Sequence, residues 1–318
     1  MTGGIFAREE YLKKHYDRDP TDFSAAGNTT KVVMLGSGNP FPNPLRRGPC
    51  VAVVANGVPY FVDAGEGIWR GIAHAVSQHR DLLGDAFTIE NIQHLFLTHL
   101  HCDHTVGLPS FILSPYKFNA PSAKRIFGSP GTVKMVEHIV AAYAVDIDAA
   151  WKRSGHNPEG WRATGHDISE PGVIFEDDNV SVEALKTEHA PLDYCWAFRF
   201  TTSDRVVVIG GDGCYSDGLV EAATGADLFL ADIVSEQHLA LAPWGGELRD
   251  RVAEIKRYHL IPRDLVRLQA RSGVDTVVLY HEQGFLDGAS YTREALADEV
   301  RALDFGGRLI SSIDGDIF

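Results

Sequence analysis

Four side chains able to bind a metal ion fall within six residues of this chain: His99, His101, Asp103 and His104, in the stretch Thr98-His99-Leu100-His101-Cys102-Asp103-His104. His99 and His101, two positions apart, project from the same side of an extended backbone and can grip one ion. Asp103 and His104 must act from the turn that follows, where a carboxylate and an imidazole can hold a second ion close by. Nitrogen and oxygen donors of this kind suit zinc, iron or manganese and do not choose among them. Cys102 lies between these residues, but its spacing points it away from His99 and His101, so it reads as a small buried filler.

Ligands need a rigid element to deliver them, and the apolar run Leu95-Phe96-Leu97 is short enough to be a buried strand ending at the cluster. Upstream, Lys31 to Leu35 reads as the first core strand, and Gly36-Ser37-Gly38-Asn39-Pro40-Phe41-Pro42 as a tight turn. That turn is not a dinucleotide fingerprint, because Phe41 holds the third glycine position and the prolines prevent a helix from opening there. Cys50 to Val54 and Tyr60 to Val62 form a hairpin around Asn56-Gly57. The second strand runs into Asp63, a carboxylate placed either to accept the spare N–H of a metal-bound imidazole or to cap the helix expected over Gly67 to His79.

Further along, the pattern predicts a helix over Thr105 to Leu113, a short strand at Ile126-Phe127, and a long amphipathic helix from Thr132, its N-cap, to Trp151. His156 and His166 lie in a Gly- and Pro-rich stretch and read as solvated loop residues. Val180 to Leu185 alternates as a strand and delivers His189. Tyr194 to Thr201 and Arg205 to Ile209 pair around Ser203-Asp204, the second ending in Gly210-Gly211-Asp212, where glycines let the backbone come close to its neighbours. Asp227 to Ala231 is another buried strand, and residues 233–258, with Trp244-Gly245-Gly246, read as a substrate-facing loop. Pro262 opens a helix that Gly273 stops after Ser272, and the strand Val274 to Tyr280 ends on His281.

The chain has 318 residues and 44% hydrophobic content, ordinary for a globular protein with a sizeable core. No apolar run reaches the roughly 18 residues that span a bilayer, and residues 1–30 lack the apolar centre of a secretory signal. Four scattered cysteines build no disulfide framework. A cytoplasmic protein with no membrane partner is the expectation. The net charge of −14, without visible basic clusters, makes nucleic acid a poor expectation for the substrate. Residues 1–30 are expected to form an arm on the body or on a second subunit, with a homodimer as the assembly, and residues 31–318 a single domain.

The cluster matches the His-x-His-x-Asp-His signature of the metallo-β-lactamase superfamily, and Val62-Asp63-Ala64-Gly65-Glu66-Gly67 resembles that family's upstream Asp-x-Gly. His189, Asp212 and His281 fall in the order of its remaining ligands. The resemblance implies a four-layer αββα sandwich of the α/β class. It also implies two divalent cations, zinc first with manganese or iron as alternatives. His99, His101 and His189 would hold one cation and Asp103, His104 and His281 the other, with Asp212 bridging. Asp103 is assigned a catalytic role besides. Two cations sharing a water would give a hydroxide at neutral pH and polarise the substrate oxygen. His259, where related enzymes place a histidine, would then donate a proton to the leaving group.

The pattern is most similar to the ribonuclease Z, arylsulfatase and phosphodiesterase branch, over residues 31 to 285, with two departures. His189 and Asp212 are only 23 positions apart, too few for the tRNA-gripping arm of ribonuclease Z, and Ala231-Asp232-Ile233-Val234 lacks the histidine of a His-Glu-Ala-Thr stretch. Both departures favour hydrolysis of a small-molecule ester, phosphodiester or aryl sulfate first and lactone or carboxylic ester second. Arg46 and Arg47 could steer an anionic group or form a solvated surface pair. A one-iron non-haem oxygenase is the alternative class, and a metal-free interaction module a third.

Overall fold

The computed structural model describes residues 30–41, 43, 45–155, 157–239, 247–283 and 295–318. The N-terminal arm, His156 and Trp244-Gly245-Gly246 lie outside the described residues. One sheet holds β1 (Lys31–Gly36), β2 (Cys50–Ala55), β3 (Val58–Val62), β4 (His94–Phe96), β5 (Lys124–Gly128) and β6 (Ala163–Asp167), in that spatial order. The other runs in reverse, from β13 (Arg308–Ser311) through β12 (Thr276–Gln283), β11 (Leu228–Val234), β10 (Val206–Ile209), β9 (Leu192–Thr201) and β8 (Ser181–His189) to β7 (Gly172–Glu176).

Strands buried on both faces read as continuous apolar runs, because neither face meets water. In β1, Val32 and Met34 join the core between the two sheets, and Val33 and Leu35 the core under the outer helices. In β11, Leu228 and Leu230 face the inter-sheet core, and Phe229 and Ala231 the helices on the far side. Three apolar layers between four structural layers give the αββα sandwich. The outer helices are α1 (Ile68–Leu83), α2 (Cys102–Thr105), α3 (Leu108–Leu113), α4 (Thr132–Ala142) and α5 (Ala144–Ser154), followed by α6 (Asp217–Ala223), α7 (Glu236–Leu239), α8 (Leu248–Ile255), α9 (Pro262–Ser272) and α10 (Ala295–Arg301).

Several expectations need correction. The helix expected from Thr132 to Trp151 is two helices interrupted at Tyr143, and Gly131 takes the N-cap position while the Thr132 hydroxyl donates to the Ser129 carbonyl. α1 runs on to Leu83, with non-helical angles at His79. His166 is no loop residue: it sits in β6, stacked on Phe127 with ring centroids 4.6 Å apart. Ile233 and Val234 belong to β11, and the segment expected as a loop after them holds α7 and α8. Cys102 is exposed, because its place at the start of α2 turns it outward from the sheet.

Candidate metal centre

Every strand that carries a candidate ligand delivers it to one edge of the sandwich. β4 leads into Thr98 and His99, β8 ends on His189, β10 leads through two glycines to Asp212, and β12 carries His281. Gly211 has φ +66°, and a Cβ there would stand 2.8 Å from Thr98 Cβ, so only glycine lets this segment press against the His99 strand and place Asp212 beside it. Gly65 crosses Gly48 just as closely, a Cβ on it meeting the Gly48 carbonyl carbon at 2.3 Å. This crossing locks Asp63 behind the cluster.

Two donor sets meet. His101 Nδ1 lies 3.0 Å from His99 Nε2 and 3.1 Å from His189 Nε2, three lone-pair atoms converging as a tetrahedral site requires. On the other side, Asp103 Oδ2 lies 3.1 Å from His281 Nε2 and 3.6 Å from His104 Nε2. Between the sets, Asp212 Oδ1 stands 3.4 Å from His104 Nε2 and 3.5 Å from His281 Nδ1. His104 Nε2 and Asp212 Oδ1 are buried without a hydrogen-bond partner, and such atoms are costly unless something fills the space between them. Divalent cations fit that space and that donor chemistry. All seven residues expected as ligands from the sequence are brought together here.

Charge tells the same story. Burial, and then the neighbouring His104, hold the His99 imidazole well below its ordinary value. Burial likewise lowers His101 and His189, so all three are neutral donors at pH 7. Burial pulls His104 down too, but the carboxylates of Asp212 and Asp63 outweigh it and raise His104 well above its ordinary value. The site demands positive charge there.

Backbone and carboxylate partners fix which ring nitrogen is free. His189 Nδ1 donates to the Tyr258 carbonyl at 2.6 Å, leaving Nε2 for a ligand role. Of the two roles open to Asp63, helix capping is not taken, since the N-cap of α1 is Gly67 with no side-chain cap bond. The Asp63 carboxylate instead accepts three donors: Thr98 N at 2.8 Å, Thr98 Oγ1 at 2.9 Å and His104 Nδ1 at 2.8 Å. Asp63→Asn keeps the shape but turns an amide NH₂ toward donors. It should weaken metal affinity at the His104 site by about 10- to 100-fold, measurable by competition with a chromogenic chelator. Unchanged affinity would reduce Asp63 to a packing role.

Sequence reasoning passed over two residues of the site. Asp232, buried in an otherwise apolar strand, has its Oδ2 2.6 Å from His259 Nδ1, and Gln283 Nε2 lies 3.1 Å from His259 Nε2. A carboxylate inside the run Leu228 to Val234 was the available signal, since a buried carboxylate needs a partner. Arg46 and Arg47 are not a solvated pair. Arg46 faces Glu282 across 3.8 Å with its side chain 7% exposed, and Arg47 bonds Asp314 at 3.0 Å.

A family profile described as "Beta-lactamase superfamily domain" matches residues 60–281. The chain is 30% identical to a ribonuclease Z of Mycobacterium sp. (strain KMS) over 256 residues, 79% of this chain and 83% of that one. It is 28% identical to the ribonuclease Z of Mycobacterium bovis (strain BCG / Pasteur 1173P2) over 88% of its own length and 94% of the relative's. Among solved structures, unliganded yeast PDE1 superposes with a TM-score of 0.65 at 14% identity, covering 91% of this chain and 99% of that one. Human tRNase Z, short form, gives 0.62 at 18%, covering 91% and 98%. Relatives that are ribonucleases by name overturn the expectation that nucleic acid is excluded as a partner. The net charge of −14 is a sum over the whole chain, whereas a phosphate meets only the local field around the centre. Among the described residues no helix is long and apolar enough to cross a membrane.

Proposed function

Because the chain belongs to the metallo-β-lactamase superfamily of metal-dependent hydrolases, we propose that it hydrolyses a phosphodiester bond with two divalent cations, zinc first. The observation that carries this reading is the pair of donor sets sharing Asp212, with His259 beside them. A one-iron oxygenase would need only one of those sets. The ribonuclease Z relatives favour a phosphodiester over a sulfate or a lactone.

When bound, two cations would acidify a water between them and neutralise charge building on the phosphoryl oxygens. His99, His101 and His189 would hold one cation and Asp103, His104 and His281 the other, with the Asp212 carboxylate lying between the two sets and available to both. Asp103 also lines the open cleft beside Asn39 and Phe41, so its second carboxylate oxygen can accept a hydrogen bond from the attacking water. His259, held by Asp232, donates a proton to the departing oxygen. The interval from His189 to Asp212 is taken up by the β8–β9 turn, β9, a second turn and β10. A long RNA would have to be gripped elsewhere, while a compact diester needs no such grip.

The test is a hydrolysis screen of the zinc-loaded protein over bis(p-nitrophenyl) phosphate, p-nitrophenyl sulfate, p-nitrophenyl acetate, a lactone and a precursor tRNA. Phosphodiester turnover should exceed that of the sulfate, carboxylic ester and lactone by at least about ten-fold in kcat/KM, a margin of roughly 1.4 kcal/mol. A preference for sulfate or lactone would remove the phosphodiester reading.

A further inference from the structure

We propose that a basic cavity beside the metal cleft is a second phosphate subsite, which makes the preferred substrate a diester with another phosphate nearby, as in an oligonucleotide. The identity of the substrate rests on the phosphodiester reading above; the cavity's own affinity for phosphate does not.

The cavity is about 510 Å³ and is lined by Arg46, Arg47, Arg70 and His74, with Glu66 and Asp314 as its acidic members. A neighbouring cleft of about 400 Å³ contains Asp103 and shares Asn43, Arg46 and Glu66 with the cavity. Metal edge and basic cavity are therefore consecutive parts of one groove. A substrate whose scissile phosphate sits at Asp103 would extend past Arg46 into the cavity.

Three arginines face two carboxylates in the lining. Asp314 is already committed: it accepts from Ser37 N and Oγ, each at 2.8 Å, and from Arg47 N and Nη1 at 2.8 and 3.0 Å. Arg46 leans toward Glu282. Arg70 is exposed and has no ion-pair partner among the described residues, so its guanidinium, with five donors in a planar fork, is the group most open to an incoming anion. Glu66, exposed at the rim, opposes an anion, and the balance of the lining is still one positive charge.

The helix α1 supplies a second, independent argument. Its 16 residues start at Ile68, directly after the N-cap Gly67 in the cavity wall, with no side-chain cap and no acidic residue in the first turn; Ile68 N–H bonds the Gly65 carbonyl at 3.4 Å, and among the described residues no carboxylate answers the N–H groups that follow. Arg70 stands in that first turn, where a cation opposes the helix dipole and costs stability. An anion bound between the N–H groups and the guanidinium reverses that cost. Gly67, at φ +87°, makes room for this, since a Cβ there would meet Arg47 Cγ at 3.2 Å and push it from the wall.

Titration of inorganic phosphate into the zinc-loaded protein, followed by calorimetry, tests the site directly. Arg70→Glu should bind one phosphate fewer per chain than the wild type, and Arg70→Lys should restore it with weaker affinity. Equal phosphate counts in wild type and Arg70→Glu, with melting temperatures unchanged, overturn the subsite. In kinetics, 5′-phosphorylated pUpU should show a KM about ten-fold or more below that of UpU in the wild type, and Arg70→Glu should erase the difference. Turnover of both dinucleotides with equal KM in the wild type defeats the subsite and leaves phosphodiester hydrolysis standing. If neither dinucleotide nor bis(p-nitrophenyl) phosphate is hydrolysed, the phosphodiester reading fails, and the phosphate count alone decides the cavity.

Discussion

Asp212→Ala should leave the chain folded, with both metal ions lost together and hydrolysis reduced by about 10³-fold, the several kcal/mol that metal assistance supplies. Among the described residues, Asp212 belongs to three of the five donor groups, including one drawn from each side. No other candidate ligand among the described residues stands between the sets in this way. Burial favours protonating its carboxyl, yet His281 and His104 hold it well below the usual carboxylate range, so it stands ready as an anion. Elemental analysis of purified wild type should give about two transition-metal ions per chain, and the variant close to none. A variant that keeps both ions and turns over normally would refute the bridging role.

A second large effect is expected at His259. Its Nδ1 is held 2.6 Å from Asp232 Oδ2. Burial raises the Asp232 carboxyl well above its ordinary value and lowers the His259 imidazole to about 3. However the shared proton lies along that contact, a pair carrying two protons presents an N–H at Nε2 on the far side of the ring, which the neighbouring Gln283 amide accommodates only with its oxygen turned toward the ring. That proton matters most when the leaving oxygen is a poor leaving group. His259→Ala should therefore slow diesters with alcohol leaving groups by about 10²-fold, with a far smaller loss on nitrophenyl diesters and full metal content. Asp232→Asn should show the same leaving-group dependence in weaker form. Equal losses on both substrate types with intact metals would leave His259 a positioning role.

The sequence by itself determined the ligand types, their order and the strands that bring them. His99 and His101 share a face because the side-chain period of an extended chain is two, and the hairpin at Asn56-Gly57 forms because both residues tolerate positive φ, +49° and +79° here. Such rules act over a few residues, so local spacing exposes them. The same locality explains the failures. Tyr143 interrupts a helix whose apolar pattern runs straight through it, and Cys102, expected as a buried filler, is exposed at the first residue of α2.

Only the tertiary structure decided how the ligands are aimed and what supports them. Between β11 and β12 the register slips, Ala231 pairing with Leu279 but Ile233 with Glu282. Tyr280 and His281 thus lie opposite Asp232 alone, and His281 takes φ +49°. That bulge turns its ring toward Asp103, at a backbone cost a histidine bears only where neighbours hold it, here the His281 N–H bond to the Ser37 carbonyl at 2.9 Å. The Asp232–His259 and Asp63–His104 contacts join residues far apart in the chain. Their partners are chosen by parallel strand order and sheet-on-sheet packing, which place the ends of distant strands side by side. No periodicity in the sequence encodes that choice, because it depends on which strand becomes the neighbour of which.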